Sequence, residues 1–354
     1  MRLAVLAVPA ALAACAPHAA PPAPHEATVP VVAAGEPGPG LPPGPSVEAA
    51  ATTPPPDAGP TAEPSCVDDG APYELDALRE RVARLAAVEL DGRGPGSDGD
   101  AVARGYIAAR FRCLGLVPAG ADGAYEQPFM ADGHATANLL GYIPGTDPAV
   151  AGDIVLVGAH HDHLGDGHLG ANDDASGVSA LVAIAQAVRQ HGEPARTIAF
   201  AAFGGEELGL VGSEYFAAHA PAALPLDRIV YDVNLDMVGS YRSSGAVYAM
   251  GTFRGLPGTA IMKALAAERP RLHVGLGGRG VGSDHEAFCR AGVPYVFFWT
   301  PDKRCYHERC DTVDRLDAAH LADIAGLAGG LVERLAASPA DLAASRVRLG
   351  CRGR

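Results

Sequence analysis

Gly158-Ala-His-His-Asp-His-Leu-Gly-Asp-Gly-His-Leu-Gly-Ala-Asn-Asp-Asp-Ala-Ser-Gly177 places four histidines and four aspartates in one connection. The run before it, Asp153-Ile-Val-Leu-Val-Gly-Ala159, is short, apolar and rich in β-branched residues, and reads as a buried strand. The run after it, Val178 to Val188, is apolar at helical spacing. In open α/β folds such a connection lies at the carboxyl edge of the sheet, where ligands bind. Imidazole and carboxylate are ligands of zinc, so the stretch predicts a metal site.

Outward from this stretch the chain alternates strands and helices. Strands are expected over 125–129, 137–143, 153–159, 197–203, 229–235, 246–250 and 294–299. Helices are expected from Leu75 to Val88 and over 102–116, 174–190, 208–220, 256–265 and 316–337. Alternation with strands buried on both faces indicates an α/β fold. The strand ends carry unusual polar residues: His160 and Asp162 after one, Glu206 and Glu207 after the next, Asp236 after a third. Asp173 precedes a helix, and Cys305-Tyr306-His307-Glu308-Arg309-Cys310-Asp311-Thr312 comes after the last strand. Acidic residues at such places are often caps or solvated loops. Several of them at sheet edges of one chain are harder to explain that way.

Composition narrows the function classes. A hydrophobic content of 48% over 354 residues supports a substantial core, and a net charge of −14 argues against nucleic acid as a partner. Arg2 followed by an apolar run from Leu3 to Leu12 reads as an export signal too short to span a bilayer. It ends in Leu12-Ala13-Ala14-Cys15, which resembles the lipobox of bacterial lipoproteins and implies lipidation of Cys15. Residues 16–65 hold 15 of the 30 prolines and no aromatic residue, a composition that reads as an extended tether. One folded domain over 66–340 and a tail over 341–354 complete the expected organisation. The protein is therefore expected to be exported and lipid-anchored to a cell-envelope membrane. With Cys15 set aside, Cys66, Cys113, Cys289, Cys305, Cys310 and Cys351 remain, an even number that suggests disulfides; Cys305 and Cys310 are the most local pair.

Together the motifs Gly158-Ala-His160-His-Asp162-His-Leu164, Gly170 to Gly177, Gly205-Glu206-Glu207 to Ser213, Asn234-Leu-Asp236-Met-Val-Gly239, Ser283 to Phe288 and Tyr306-His307 resemble those of the bacterial secreted di-zinc aminopeptidases. These belong to the zinc exopeptidases, a group that includes glutamate carboxypeptidases. The resemblance covers roughly residues 75–335. It implies a three-layer α/β/α sandwich around a central mixed, mostly parallel sheet, and two zinc ions per chain. Asp173 would bridge them, with His160 and Asp236 on one and Glu207 and His307 on the other. Glu206 would be the general base, and Asp162 would orient His160. Tyr306 is a candidate oxyanion donor, and a Cys305–Cys310 bridge would stiffen the loop carrying His307. Many relatives read Tyr-His-Thr-Pro here, whereas this chain has Glu308 and Arg309 after the histidine. The implied substrates are peptides with a free amino terminus. A carboxypeptidase or dipeptidase of the same group is the runner-up, ahead of a glutaminyl-cyclase-like transferase or a non-catalytic member.

Other features carry less. His161, His163 and His168 read as exposed or cleft-lining loop residues. Ser176 lacks the Gly-x-Ser-x-Gly setting of a nucleophile. No Gly-x-Gly-x-x-Gly opens a βαβ unit, so no nucleotide cofactor is expected. Gly275 to Gly282 reads as a mobile loop beside the site, where Arg279 could meet a substrate carboxylate or carbonyl.

Overall fold

Every residue from Ile154 to His160 is buried, as an apolar strand covered on both faces must be. Alternate side chains divide between two cores. Val155, Val157 and Ala159 enter a large one, and Ile154 and Leu156 a smaller one. Ile198, Phe200 and Ala202 against Ala199, Ala201 and Phe203 repeat the division on the neighbouring strand. The computed structural model describes residues 70–346 and 351. Cys15 and the expected signal and tether segments lie outside them.

Among the described residues nine strands form one sheet. In chain order they are β1 (Val117–Pro118), β2 (Glu126–Ala131), β3 (His134–Ile143), β4 (Ile154–His160), β5 (Thr197–Phe203), β6 (Ile229–Leu235), β7 (Val247–Met250), β8 (Val274–Leu276) and β9 (Tyr295–Trp299). The spatial order is β1-β3-β5-β4-β6-β9-β7-β8, with β2 also paired to β3. The four middle strands β5, β4, β6 and β9 are mutually parallel. Antiparallel pairings of β3 with β5 and of β7 with β9 flank them. The sheet is thus mixed with a parallel centre, as expected.

The helices are α1 (Leu75–Leu85), α2 (Asp98–Cys113), α3 (Ser176–His191), α4 (Val211–Ala218), the single turn α5 (Tyr241–Ser244), α6 (Pro257–Ala267), α7 (His285–Arg290) and α8 (Ala318–Ala336). Leu78 and Val82 of α1, Ile107 and Phe111 of α2, Leu181 and Ile184 of α3, Met262 of α6, and Leu327 and Leu331 of α8 fill the larger core. Phe216 of α4 and Phe288 of α7 fill the smaller one. Two helical layers around one sheet give the three-layer α/β/α sandwich.

The differences from the sequence reading have local causes. Helix α2 starts at Asp98 rather than 102 because the Ser97 hydroxyl accepts the Asp100 amide at 3.0 Å, a side-chain cap. Helix α3 starts at Ser176, since the backbone of Asp173 and Asp174 leaves helical geometry. Strand β8 and helix α7 went unread because each is short. Residues 341–346 are not a loose tail. Arg346 donates to the carbonyls of Leu226, Asp227 and Ala291, and Cys351 forms a disulfide with Cys289.

Candidate metal centre

Because β5, β4, β6 and β9 are adjacent and parallel, the connections leaving their carboxyl ends gather at one edge of the sheet. His160 is the last residue of β4, and Asp236 is the first after β6. Glu206 and Glu207 lie just beyond β5, and His307 is in the connection after β9. Asp173 arrives from the turn that opens α3. All but His307 are buried or nearly so.

These side chains form two groups that share Asp173. The His160 Nε2 lies 3.2 Å from Asp173 Oδ1 and 3.6 Å from Asp236 Oδ1. The His307 Nε2 lies 3.3 Å from Asp173 Oδ2 and 3.0 Å from Glu207 Oε2. Two ligands 2.0–2.1 Å from one tetrahedral ion are separated by roughly 3.4 Å, so the spacings fit a zinc ion in each group. Asp173 Oδ2 and Glu207 Oε1 are buried, and the groups beside them are imidazole nitrogens, of His307 at 3.3 Å and of His163 at 2.7 Å, whose protons a cation could replace. The donor sets, imidazole with carboxylate, suit zinc.

One expected bystander belongs here. His163 is fully buried, with Nδ1 2.7 Å from Glu207 Oε1, and forms a second triad with Asp173 and Glu207. His307 Nε2 approaches both of those carboxylates, and His163 lies in ligand range of the same two, so both histidines are candidates for this group. His161 is also buried, with Nε2 3.1 Å from Asp100 Oδ1. Neither is the exposed or cleft-lining residue that a His-rich loop suggests, because the connection folds inward beneath the sheet edge.

A shell of carboxylates and one arginine holds the groups in place. Asp162 accepts the amides of Glu206 and Glu207 at 3.1 and 3.3 Å. Its carboxylate is 3.8 Å from His160 Nδ1, which sits closer, at 3.2 Å, to the Asp162 carbonyl. Asp162 therefore ties the β5 loop to β4 as well as facing His160. Asp174 accepts the amides of His160, Gly177 and Met237, pinning the ends of β4, α3 and β6 to one another. Asp311 accepts the amides of Asn172 and Asp173 at 2.8 and 3.0 Å and so anchors the turn that carries Asp173. Ser176 is likewise structural, donating to the Asn172 carbonyl and accepting from the Val238 amide.

Sequence reading missed Arg93 entirely. It sits in a turn-rich loop, where an arginine between two glycines carries no signal of burial. Its guanidinium is fully buried and donates to the carbonyls of Leu85, His161, Leu169 and Gly170 at 2.7–3.0 Å. It thereby closes both ends of the loop between His160 and Asp173. His307 is held differently, at a left-handed φ of 57°, inside the ring closed by the Cys305–Cys310 disulfide. Arg309, which departs from the family pattern, pairs with Asp166 at 3.2 Å and so links this ring to the β4–α3 connection.

The electrostatics are those of a site built for cations. Burial opposes charge on His160, yet Glu206, Asp162, Asp173 and Asp236 together push its imidazole well above the usual value. Hydrogen bonds to Asp173 and Glu207 push His307 up to about 10. Burial likewise favours protonation of Asp173, but its contacts with His160 and His307 hold it below the usual carboxylate range. Burial, reinforced by Asp236, Asp284 and Glu207, pushes Glu206 well above its usual value. The protons on the two histidines occupy positions that zinc would take.

A cavity of about 480 Å³ opens from Asp173, Glu206, Asp236 and His307. Met237, Met250, Phe297 and Trp299 form apolar walls; Arg279 and Lys303 also line it. The half-exposed Tyr306 lies on its wall with its ring stacked on His307 at 3.8 Å.

The chain is 27% identical over 270 residues to leupeptin-inactivating enzyme 1 of Streptomyces exfoliatus, covering 69% of this chain and 58% of that protein. It is 31% identical over 176 residues to an aminopeptidase of Bacillus subtilis, covering 48% and 38%. It thus spans less than two thirds of the length of either relative. Among solved structures it resembles an aminopeptidase from Aneurinibacillus sp. strain AM-1, with a TM-score of 0.63 and 19% identity over 76% of this chain and 95% of that one. A glutaminyl cyclase of Porphyromonas gingivalis shares the fold at a TM-score of 0.62 and 19% identity, over 75% and 100%. Structural matches at identities this low establish the fold alone. The model of peptidase family M28 matches residues 138–332, more than half of the sequence, and with its two Asp173-linked clusters at the sheet edge the chain belongs to that family.

Proposed function

We propose that the protein is an exported zinc aminopeptidase, cleaving the first peptide bond of substrates with a free amino terminus. The observation that carries this reading is the pair of His/carboxylate groups sharing Asp173 beside a cavity. His160 and Asp236 would hold one zinc, Glu207 and His307 the other, and Asp173 both. Zinc bound there supplies Lewis acidity and a water acidic enough to act near neutral pH. Glu206 lines the cavity without belonging to either group, where it can take a proton from that water and return it to the leaving amine. In the metal-free protein burial and the neighbouring carboxylates raise its pKa, the direction that offsets the lowering two nearby cations would cause. Tyr306 on the cavity wall is a candidate donor to the carbonyl oxygen. The carboxylates around the groups favour a substrate amine.

The organisation proposed for the whole chain is a signal over 1–15, lipidation at Cys15, a tether over 16–65, a catalytic domain over 66–340 and a C-terminal segment over 341–354. One feature supports export. Cys113, Cys289, Cys305, Cys310 and Cys351 are all disulfide-bonded, as in oxidising compartments. Among the described residues no helix is long and apolar enough to cross a membrane.

The test is hydrolysis of leucyl-p-nitroanilide and of its N-acetyl form by the zinc-loaded protein, with metal content measured on the same sample. Two zinc ions per chain and activity lost on acetylation support the reading. Activity that ignores acetylation but needs a free carboxyl terminus selects the carboxypeptidase alternative.

A further inference from the structure

A second cavity of about 480 Å³ shares Asp302 with the one beside the metal groups but none of the proposed zinc ligands. Three arginines line it from three separate segments: Arg242 on α5, Arg304 in the connection after β9, and Arg315 in the turn before α8. Like charges gathered round one hollow repel one another, so they need a counter-charge. Asp302, Asp314 and Asp317 line the same hollow and balance its formal charge. An anion entering it therefore meets no net repulsion from the lining, although the chain as a whole carries −14.

The carboxylates spend their oxygens elsewhere. Asp302 is buried and accepts the Ser240 and Ser243 hydroxyls at 3.3 and 3.2 Å and the Arg304 and Cys305 amides at 3.0 and 3.4 Å. Asp317, also buried, faces His320 Nδ1 at 2.7 Å and Arg242 Nε at 3.4 Å. Asp314 accepts the Thr312 hydroxyl at 2.6 Å, and Arg315 acts on it only through its field. Arg242 is thus oriented through Nε, which leaves its terminal nitrogens over. Among the described residues the guanidiniums of Arg304 and Arg315 make no hydrogen bond and no ion pair. The main chain beneath them is fixed, with the Arg304 amide on Asp302 and the Arg315 amide on the Thr312 carbonyl at 3.1 Å.

We propose that this hollow binds a small tetrahedral oxyanion, phosphate or sulfate, between Arg242, Arg304 and Arg315, and that the bound anion steadies the loop carrying His307. A guanidinium presents its N–H donors in one plane and meets an oxyanion through two of them at once. Three such forks from three segments suit an anion whose oxygens point in several directions better than a planar carboxylate. The link to His307 is short. Arg304 directly precedes Cys305, whose disulfide with Cys310 closes the His307 ring, and the Arg304 carbonyl lies 3.7 Å from Cys310 Sγ. The inference does not depend on the aminopeptidase reading.

The experiment titrates sodium sulfate into the zinc-loaded full chain by calorimetry, with ionic strength held constant by sodium chloride. One sulfate per chain is expected, with Kd in about the millimolar range, because cations exposed to water bind weakly. Arg304→Gln/Arg315→Gln should weaken binding about tenfold or more, with zinc content and the sulfate-free unfolding midpoint at the parent values. Arg304→Lys/Arg315→Lys should keep part of the affinity, since the charges remain and the forks do not. In the parent, sulfate at a few times Kd should slow zinc release to a chelator by about two- to fivefold, and in the glutamine variant it should not. No saturable binding up to about 50 mM sulfate overturns the site. Equal binding in the glutamine variant overturns it too, as an anion resting on the zinc ions would give that result. Saturable binding with an unchanged rate of zinc release overturns the link to the His307 loop.

Discussion

Replacing Arg93 by methionine keeps the length of the side chain but removes its charge and all its donors. The main-chain carbonyls of Leu85, His161 and Leu169 then lose the Arg93 donor, and that of Gly170 keeps only the Ala175 amide at 3.3 Å. The charge also disappears from among Asp162, Asp311, Asp174 and Asp173, whose combined field opposes the burial that would otherwise discharge the guanidinium. A hydrogen bond from a charged donor contributes about 1.5–3 kcal/mol, but four bonds to one group are not additive. Removing one partner of a buried charged network costs about 3–5 kcal/mol, and that is the loss expected here. At roughly 2 °C per kcal/mol for a domain of this size, Tm should fall by about 6–10 °C. Zinc affinity should fall as well, by about 10–100-fold, because the loop from His160 to Asp173 loses its closure. The assays are denaturant unfolding of metal-free protein and competition with a chromogenic chelator. Arg93→Lys should recover only part of the loss, since an ammonium cannot reproduce a planar fork aimed at several carbonyls. An Arg93→Met protein within about 1 kcal/mol of the parent, with unchanged zinc affinity, would refute the account of Arg93 as the closure of this loop.

Three further outcomes are expected. Glu206→Gln should lower kcat by about 10²–10⁴-fold while two zinc ions remain bound, as measured by turnover and metal analysis on one preparation; loss of metal in parallel with activity would contradict a role as base. The double substitution Cys305→Ser/Cys310→Ser should release one zinc more readily than the other, because only His307 sits in that disulfide ring; equal loosening of both ions in a chelator titration would count against it. In metal-free protein the His307 imidazolium is stabilised by Asp173 and Glu207, with its pKa raised to about 10. A raised pKa contributes stability that is complete below the ordinary histidine value of about 6.5 and is lost as pH rises through about 10. Denaturant unfolding between those limits should show the loss in metal-free protein and not in zinc-loaded protein, where the metal has replaced the proton, and His307→Ala should reduce it, leaving the part that comes from His160, whose imidazole is raised as well.

The sequence by itself determined the fold class, the strands that form the parallel centre, and the candidate ligands. Those properties are written in residues close together along the chain. The continuous apolar run from Ile154 to Ala159 and the polar residues that end β4, β5 and β6 need no knowledge of what packs against them. The tertiary structure decided what distant segments do to one another. Arg93 reaches His161 across 68 positions, and Asp311 reaches Asn172 across 139. Neither contact leaves a trace in local periodicity. The inward turn that buries His161 and His163, the Cys289–Cys351 bridge that fastens the carboxyl-terminal segment, and the anchoring of the glycine-rich loop by Tyr295 are of the same kind. Each depends on a side chain finding its partner only after the sheet has assembled. A sequence can say that a residue is able to bind a metal, hold a loop or meet a carboxylate, and the packed chain decides which of these it does.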